Sequence, residues 1–143
     1  MGWIIGFWGR SGSNSAKVAN HISNRANIPI VDFLADPQLA VPQNLIIVTS
    51  NLGDEEVPED LERFLVKRGS EVRNWTIVEI GNYYGFDDWN FGAGNRIAMH
   101  LRGLKYARQI LIGVGIDSLP MIDFRTLDSW CNEVLLKETE NAV

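Results

Sequence analysis

The feature of the sequence that most constrains its fold is a regular alternation of short apolar runs with amphipathic stretches. Apolar runs of roughly 4–8 residues rich in β-branched and aromatic side chains predict buried strands, whereas apolar residues at helical spacing predict helices packed on one face. By these criteria the strands are Trp3–Trp8, Ile28–Phe33, Asn44–Ser50, Trp75–Ile80 and Gln109–Val114, and the helices are Ser15–Ala26, Pro58–Val66, Ala93–Leu104 and Phe124–Leu136. The predicted element order is therefore β-α-β-β-α-β-α-β-α.

This order predicts an α/β fold in which a five-stranded parallel sheet is covered by helices on both faces. Strands separated by single helices pair in parallel through right-handed crossovers. Asn44–Ser50 is apolar at consecutive positions, as a strand covered on both faces requires. Ligands of such sheets bind outside the carboxyl ends of the strands, where the strand order reverses. The loops after the first, third and fourth strands are therefore the candidate site.

Composition and charge exclude several classes of function. The chain has 143 residues with 13 Lys and Arg against 18 Asp and Glu, and a net charge of −5 argues against a nucleic-acid binder, which needs a basic surface. Cys131 is the only cysteine and His21 and His100 are the only histidines, so a disulfide framework, a CxxC pair and a zinc site are disfavoured. No apolar run approaches the roughly 20 residues of a membrane span, and the start has no secretion signal. We expect a single cytoplasmic domain over residues 1–143, monomeric and without membrane insertion. Within it we expect His21, His100 and Cys131 to be surface or packing residues.

The first candidate loop runs through Arg10, Ser11, Gly12, Ser13, Asn14 and Ser15. Glycines let the backbone approach an anion closely, and the hydroxyls and free N–H groups of a helix N-terminus can bind a phosphate. The loop lacks the lysine of GxxxxGK(S/T) and the third glycine of GxGxxG, which disfavours nucleoside triphosphates and dinucleotides. The alternative interpretation is an ordinary strand-to-helix turn in which Asn14 or Ser15 is the N-cap.

The second candidate loop combines a conformationally free glycine with a high density of acids. Its candidate site residues are Ser50, Asn51, Leu52, Gly53 and Asp54, and six carboxylates fall between Asp54 and Glu62. Acids at the start of a helix are also favoured by the helix dipole, so a solvated helix start is the alternative interpretation.

The third candidate loop, after the fourth strand, carries five aromatic residues within nine positions. Aromatic side chains in a loop indicate stacking on a planar ligand, which contributes roughly 0.5–1.5 kcal/mol beyond the buried area. A second cause is the packing of Trp89 and Phe91 into the core under the loop. We expect both, with the later aromatic residues in the core and the earlier ones against the ligand. The candidate site residues here are Asn82, Tyr83, Tyr84, Gly85 and Phe86.

A phosphate-binding loop, an acidic glycine loop and an aromatic loop on adjacent strands fit one ligand, flavin mononucleotide (FMN), and over nearly its whole length the sequence resembles the flavodoxin family. Ser50–Asn51–Leu52–Gly53–Asp54–Glu55 is similar to the family's Ser-x-aromatic/Met-Gly-Asp-Glu segment beside the isoalloxazine. Tyr83–Tyr84–Gly85–Phe86 is similar to the segment that supplies the outer stacking ring, with Phe86 the first choice and Tyr84 the second. The resemblance implies a flavodoxin-like three-layer sandwich with strand order 2-1-3-4-5. An uninterrupted fifth strand through Gly113–Val114–Gly115 is similar to that of the short-chain group.

The resemblance also implies a function. A flavodoxin carries single electrons between redox partner proteins through the semiquinone/hydroquinone couple of FMN, and has no substrate of its own. The Leu52–Gly53 peptide would turn its carbonyl toward the reduced flavin, a movement that only glycine accepts without strain. The acids of the second loop would oppose a further negative charge on the flavin and attract basic partners, such as a flavodoxin reductase and an electron acceptor.

The first loop departs from the family pattern, Ser/Thr-x-Thr-Gly-x-Thr, because Ser13 is an insertion and Arg10 is an unusual neighbour. Two alternatives therefore stay open. The chain is also compatible with a flavodoxin-like FMN protein that activates ribonucleotide reductase, or with a flavin-free interaction module. A phosphoacceptor signalling domain is disfavoured, since it needs an aspartate where this chain has Thr49–Ser50–Asn51.

Overall fold

The structure is a computed structural model that describes residues 2–9, 12–50, 57–81, 92–119 and 121–137. A short 3₁₀ turn at Gly69–Glu71 follows the helix that ends at Arg68, and a π-helical turn at Cys131–Leu135 follows the helix that ends at Trp130. The strands are β1 (Ile4–Phe7), β2 (Ile30–Val31), β3 (Asn44–Ser50), β4 (Asn74–Gly81), β5 (Arg108–Gln109) and β6 (Val114–Asp117), and the helices are α1 (Asn14–Ala26), α2 (Glu59–Arg68), α3 (Gly92–Arg102) and α4 (Phe124–Trp130).

All described strands belong to one parallel sheet with the order β2-β1-β3-β4-β5, and β6 also pairs with β4. Because β3 occupies one side of β4 along its whole length, β5 and β6 lie in line on the other side. The predicted strand order 2-1-3-4-5 is therefore confirmed, with the fifth strand divided into two segments.

The division corrects the prediction of one uninterrupted strand at Gln109–Val114. Gln109 pairs with Trp75 and Val114 pairs with Val78, so the four residues 110–113 lie opposite only two residues of β4. At the end of this bulge, a Cβ on Gly113 would lie 2.5 Å from the carbonyl oxygen of Ile77. The apolar run indicated burial and β propensity, but neither property determines how many residues one strand sets against its neighbour.

Two apolar cores cover the two faces of the sheet. Ile46 and Val48 of β3 pack in the core formed with α1 and α4. Leu45 and Ile47, which alternate with them, pack in the core formed with α2 and α3. The helices therefore form two outer layers around the sheet, as the three-layer prediction requires, and the consecutive burial of β3 follows from its central place.

Several ends of elements differ from the predictions for local reasons. β2 is shorter than Ile28–Phe33 because the Asp32 side chain accepts hydrogen bonds from the N–H groups of Leu34 and Ala35, which turns the chain. α1 ends as predicted at Ala26, where Asn27 takes a left-handed conformation (φ 55°) and donates its N–H to the Ser23 carbonyl.

In the part of the chain that the structure describes, no helix has both the length and the apolar character that crossing a bilayer requires.

Candidate functional site

The candidate site lies at the carboxyl ends of β1 and β3, where the strand order reverses. The chain passes from β1 to β2 on one side and later returns to β3 on the other, which leaves a crevice above the two strand ends. The Trp8 N–H donates to the Val48 carbonyl at 3.2 Å, so the two strands stay hydrogen bonded up to the first loop.

Ser13 is the N-cap of α1, which corrects the alternative that Asn14 or Ser15 has this role. Its Oγ accepts a hydrogen bond from the Ala16 N–H at 3.2 Å, and its carbonyl accepts one from the Lys17 N–H at 2.9 Å. A Cβ on Gly9 would lie 2.7 Å from this Oγ, so glycine at position 9 makes room for the cap. The apparent insertion in the loop is therefore the residue that starts the helix.

The start of α1 has the features of an anion site. The N–H groups of Ala16 and Lys17 already donate hydrogen bonds to Ser13. The N–H groups of Asn14 and Ser15 are therefore the ones at the helix N-terminus that can bind a ligand. The Ser13 hydroxyl accepts one hydrogen bond and still has its own proton to donate. The first turn of α1 carries no acidic residue, so no carboxylate of that turn opposes an anion. Gly12 has a positive φ (82°) and open space around the position of a Cβ, so the backbone can approach a ligand there.

One side-chain hydrogen bond joins the first loop to the second. The Oγ atoms of Ser15 and Ser50 are 2.9 Å apart, and the side chain of Ser15 is almost completely buried. Ser50 is the last residue of β3 and is only half-buried. The bond therefore ties the N-terminus of α1 to the point where the second loop leaves the sheet.

A buried polar pair that the sequence patterns did not predict lies close to this end of the sheet. Thr49 of β3 and Glu79 of β4 are register partners, and both are fully buried. They follow Ile47 and Ile77 at alternate positions, so they belong to the face covered by α2 and α3. A glutamate within the run Trp75–Ile80 was the available sequence signal, because carboxylates are almost never fully buried without a specific environment.

Five of the predicted site residues, Gly12, Ser13, Asn14, Ser15 and Ser50, are described, and the structure brings them together. The remaining ones lie outside the described residues: Arg10, Ser11, Asn51, Leu52, Gly53, Asp54, Asn82, Tyr83, Tyr84, Gly85 and Phe86. Their part in the site remains a prediction.

His21 and Cys131 lie between α1 and α4, away from the crevice. His21 Nε2 is 2.6 Å from Asp128 Oδ1, and its ring stacks on Phe124 at a centroid distance of 4.4 Å. Cys131 is completely buried, and burial raises the pKa of its thiol to about 11, which keeps it protonated and unreactive at neutral pH. Among the described residues, no group of three or more His, Cys, Asp or Glu could hold a metal ion.

No protein-family model matches the sequence, and no curated protein matches it significantly. Solved structures do match. Oxidised flavodoxin 1 from Bacillus cereus superposes with a TM-score of 0.66 at 18% identity, covering 90% of this chain and 91% of that one. A point mutant of flavodoxin from Pseudomonas aeruginosa gives a TM-score of 0.63 at 18% identity, covering 93% and 95%. The Trp repressor binding protein from Bacillus subtilis gives 0.58 at 13% identity, covering 89% and 93%. The protein therefore has a flavodoxin-like fold.

Proposed function

We propose that the protein binds FMN at the carboxyl ends of β1 and β3 and carries electrons between partner proteins. The observation that supports this proposal best is the first loop, where an open glycine, a serine-capped helix start and the Ser15–Ser50 bond meet at the switch point of a flavodoxin-like fold. The two solved flavodoxins have the same fold, and the resemblance of the second and third loops points to the same cofactor.

The residues that are described fit the phosphate of FMN. The hydroxyl of Ser13 and the N–H groups of Asn14 and Ser15 would bind it, with Gly12 allowing a close approach of the backbone. Ser11 and Arg10 belong to the same loop, and Arg10 would add a charge-assisted contact. Bound FMN would supply one-electron chemistry, whereas the protein orients the cofactor and sets the electrostatic field around it.

The flavin ring would lie against the second and third loops. By the family resemblance, Leu52 and Gly53 would face the ring, and Phe86 or Tyr84 would stack on it. Asp54 follows Gly53 directly, which would place a carboxylate beside the cofactor. We propose that the second loop limits how much negative charge the cofactor accepts.

The acids of α2 would add to this field and recruit basic partners. Glu59, Asp60 and Glu62 occupy the first turn of α2, and Arg63 pairs with the first two at 2.7 and 3.6 Å. A carboxylate roughly 10 Å from a group that gains negative charge opposes the gain by about 1.7 kcal/mol at an effective dielectric constant near 20, before salt screening. Partners with a basic surface, such as a reductase and an electron acceptor, would be attracted to this end of the sheet.

Titration of the purified, flavin-free protein with FMN and with riboflavin tests the proposal, with quenching of flavin fluorescence as the measurement. Riboflavin has the same ring without the phosphate, so the loss of the three hydrogen bonds to a charged group that Ser13, Asn14 and Ser15 would donate predicts binding at least about 100-fold weaker than that of FMN. Ser15→Ala should weaken FMN binding roughly tenfold by releasing the tie to Ser50. The matched control is Ser129→Ala, which removes a hydroxyl from an exposed position of α4 and should leave the affinity unchanged. A protein that does not quench FMN fluorescence would overturn the proposal.

A further inference from the structure

The amino end of the sheet carries a concentrated positive charge that the proposed cofactor site does not use. The turn between α2 and β4 and the turn between α3 and β5 are neighbours, because the Arg108 N–H donates to the Arg73 carbonyl at 2.7 Å. These segments, residues 67–73 and 102–109, contain six Lys and Arg and a single carboxylate, Glu71, in a chain whose net charge is −5. We call the cations and the tyrosine of these segments the amino-end surface: Lys67, Arg68, Arg73, Arg102, Lys105, Arg108 and Tyr106.

The one carboxylate of this region is committed to one of the cations. Both Glu71 oxygens accept hydrogen bonds from Arg68, at 2.8 and 3.0 Å. This bond lowers the pKa of Glu71, and the charges of Arg68 and Arg73 lower it further. Arg68 also donates to the carbonyls of Pro37 and Leu39, so its role is structural. Within the described residues, the other five cations form no ion pair.

Tyr106 gives the amino-end surface a fixed aromatic centre. Its side chain is 56% exposed, and the Arg73 guanidinium and the Lys105 ammonium lie 5.1 and 5.3 Å from its ring centroid. Arg73 is itself held by hydrogen bonds to the carbonyls of Ser70 and Val72. An exposed tyrosine held by cations is a typical anchor for a protein partner, because its side chain is already ordered and loses little further conformational entropy on binding.

The amino-end surface is far from the candidate cofactor site. Arg73 directly precedes β4, and Gly81 is the last residue of β4. At 3.3 Å per strand residue, Arg73 and Gly81 are therefore roughly 25 Å apart. A partner that covers the amino end would therefore leave the carboxyl end free, and the two interactions would be independent.

We infer that the amino-end surface is a docking site for an acidic segment of a partner protein. Charge complementarity identifies the partner's chemistry. Five cations that form no ion pair among the described residues lie in the same two segments as one aromatic anchor, and two of them, Arg73 and Lys105, contact its ring. A long nucleic acid fits less well, because its phosphates would extend beyond the compact basic region to the acidic remainder of the chain, where they are repelled. The inference does not depend on FMN binding.

A fluorescein-labelled octaglutamate peptide is the probe, and its fluorescence anisotropy with the full chain at about 50 mM salt measures binding. The variant Arg73→Gln/Lys105→Gln should weaken binding roughly tenfold, since it removes two contacts and releases Tyr106. The control Lys17→Gln/Arg125→Gln makes the same change in net charge at exposed positions of α1 and α4 and should change the affinity less than twofold. Thermal unfolding of both variants verifies that they fold.

Three results would overturn the inference. They are an absence of peptide binding to the wild-type protein, an equal loss in the control variant, and tighter binding of an oligothymidylate than of the peptide. Saturating FMN should leave the peptide affinity unchanged. Strong competition between FMN and the peptide would show that the peptide binds at the other end of the sheet, a fourth result that would overturn the inference. Because the peptide titration needs no flavin, a protein that fails to bind FMN but passes this test would refute only the proposed function.

Discussion

The centre and the edge of the sheet come from similar apolar runs but have different structures. β3 pairs with β1 and β4, and all but the last of its seven residues are buried. At the outer edge, β5 and β6 pair with β4 alone and are separated by the bulge at residues 110–113. Ile112, within the bulge, is 69% exposed, whereas Ile46 of β3 is completely buried.

The difference shows that neighbours on both sides determine strand register more strictly than apolar composition does. A strand between two partners cannot gain a residue without breaking two ladders, whereas an edge strand loses pairing on one side only. The bulge is nevertheless well anchored. The Ile112 carbonyl accepts a hydrogen bond from Trp130 Nε1 at 2.7 Å, and the Leu111 carbonyl accepts one from Thr76 Oγ1 at 3.0 Å. Such a bulge also makes the edge a poor template for pairing with another chain.

The largest expected effect comes from the same substitution at the centre and in the bulge. Ile46→Ala removes a fully buried side chain and should lower the free energy of unfolding by about 3 kcal/mol, through lost burial and the cavity that remains. Ile112→Ala, at the exposed position, should change it by less than about 0.5 kcal/mol. Urea unfolding of both variants measures the difference, and equal losses would show that the bulge is as tightly packed as the centre.

A smaller effect should follow from adding one methyl group in the bulge. In Gly113→Ala the new Cβ would lie 2.5 Å from the Ile77 carbonyl oxygen, so the edge must move, at a cost of about 2 kcal/mol. Gly103→Ala is the control, because the nearest atom to its Cβ would be at an ordinary 3.4 Å. Thermal unfolding compares the two variants. A Gly113→Ala protein as stable as the control would mean that the bulge shifts at little cost.

The smallest effect concerns the helix that follows the edge strand. Asp123 is the N-cap of α4, and its hydrogen bonds to the N–H and Oγ1 of Thr126 lower the pKa of its carboxyl group. Asp123→Ala should therefore cost about 1 kcal/mol at neutral pH. A carboxyl group with a lowered folded-state pKa stabilises the protein above its unfolded pKa of about 3.9, and this stabilisation is lost as the pH falls through the folded value.

Unfolding free energies of the wild-type and Asp123→Ala proteins, measured from pH 7 downward, check this prediction. The difference between them should be constant above about pH 5 and shrink below about pH 4. A difference that does not change with pH would assign the effect to packing and not to the charged cap.

Most of the fold was predictable because its signals are local or periodic. The apolar runs and helical stripes identified the four described helices and the strands β1 to β4, but they predicted one fifth strand where the structure has β5 and β6. The sequence from β1 to β4 alone predicted parallel pairing. The candidate site was predictable in position, since glycines and serines directly follow a strand. Its details were not. Ser13 appeared as an insertion in the sequence, and only the geometry of the first turn of α1 shows that its hydroxyl caps the helix.

The sequence by itself determined which segments are strands and helices, because side-chain burial and backbone propensity act over a few neighbouring residues. The tertiary structure alone decided two other features, the bulge and the Ser15–Ser50 bond. It also assembled the amino-end surface, since the pairing of β4 with β5 brings Arg73 beside Tyr106 from a segment more than thirty residues away. These features depend on register and on distant neighbours, which no local pattern in the chain encodes.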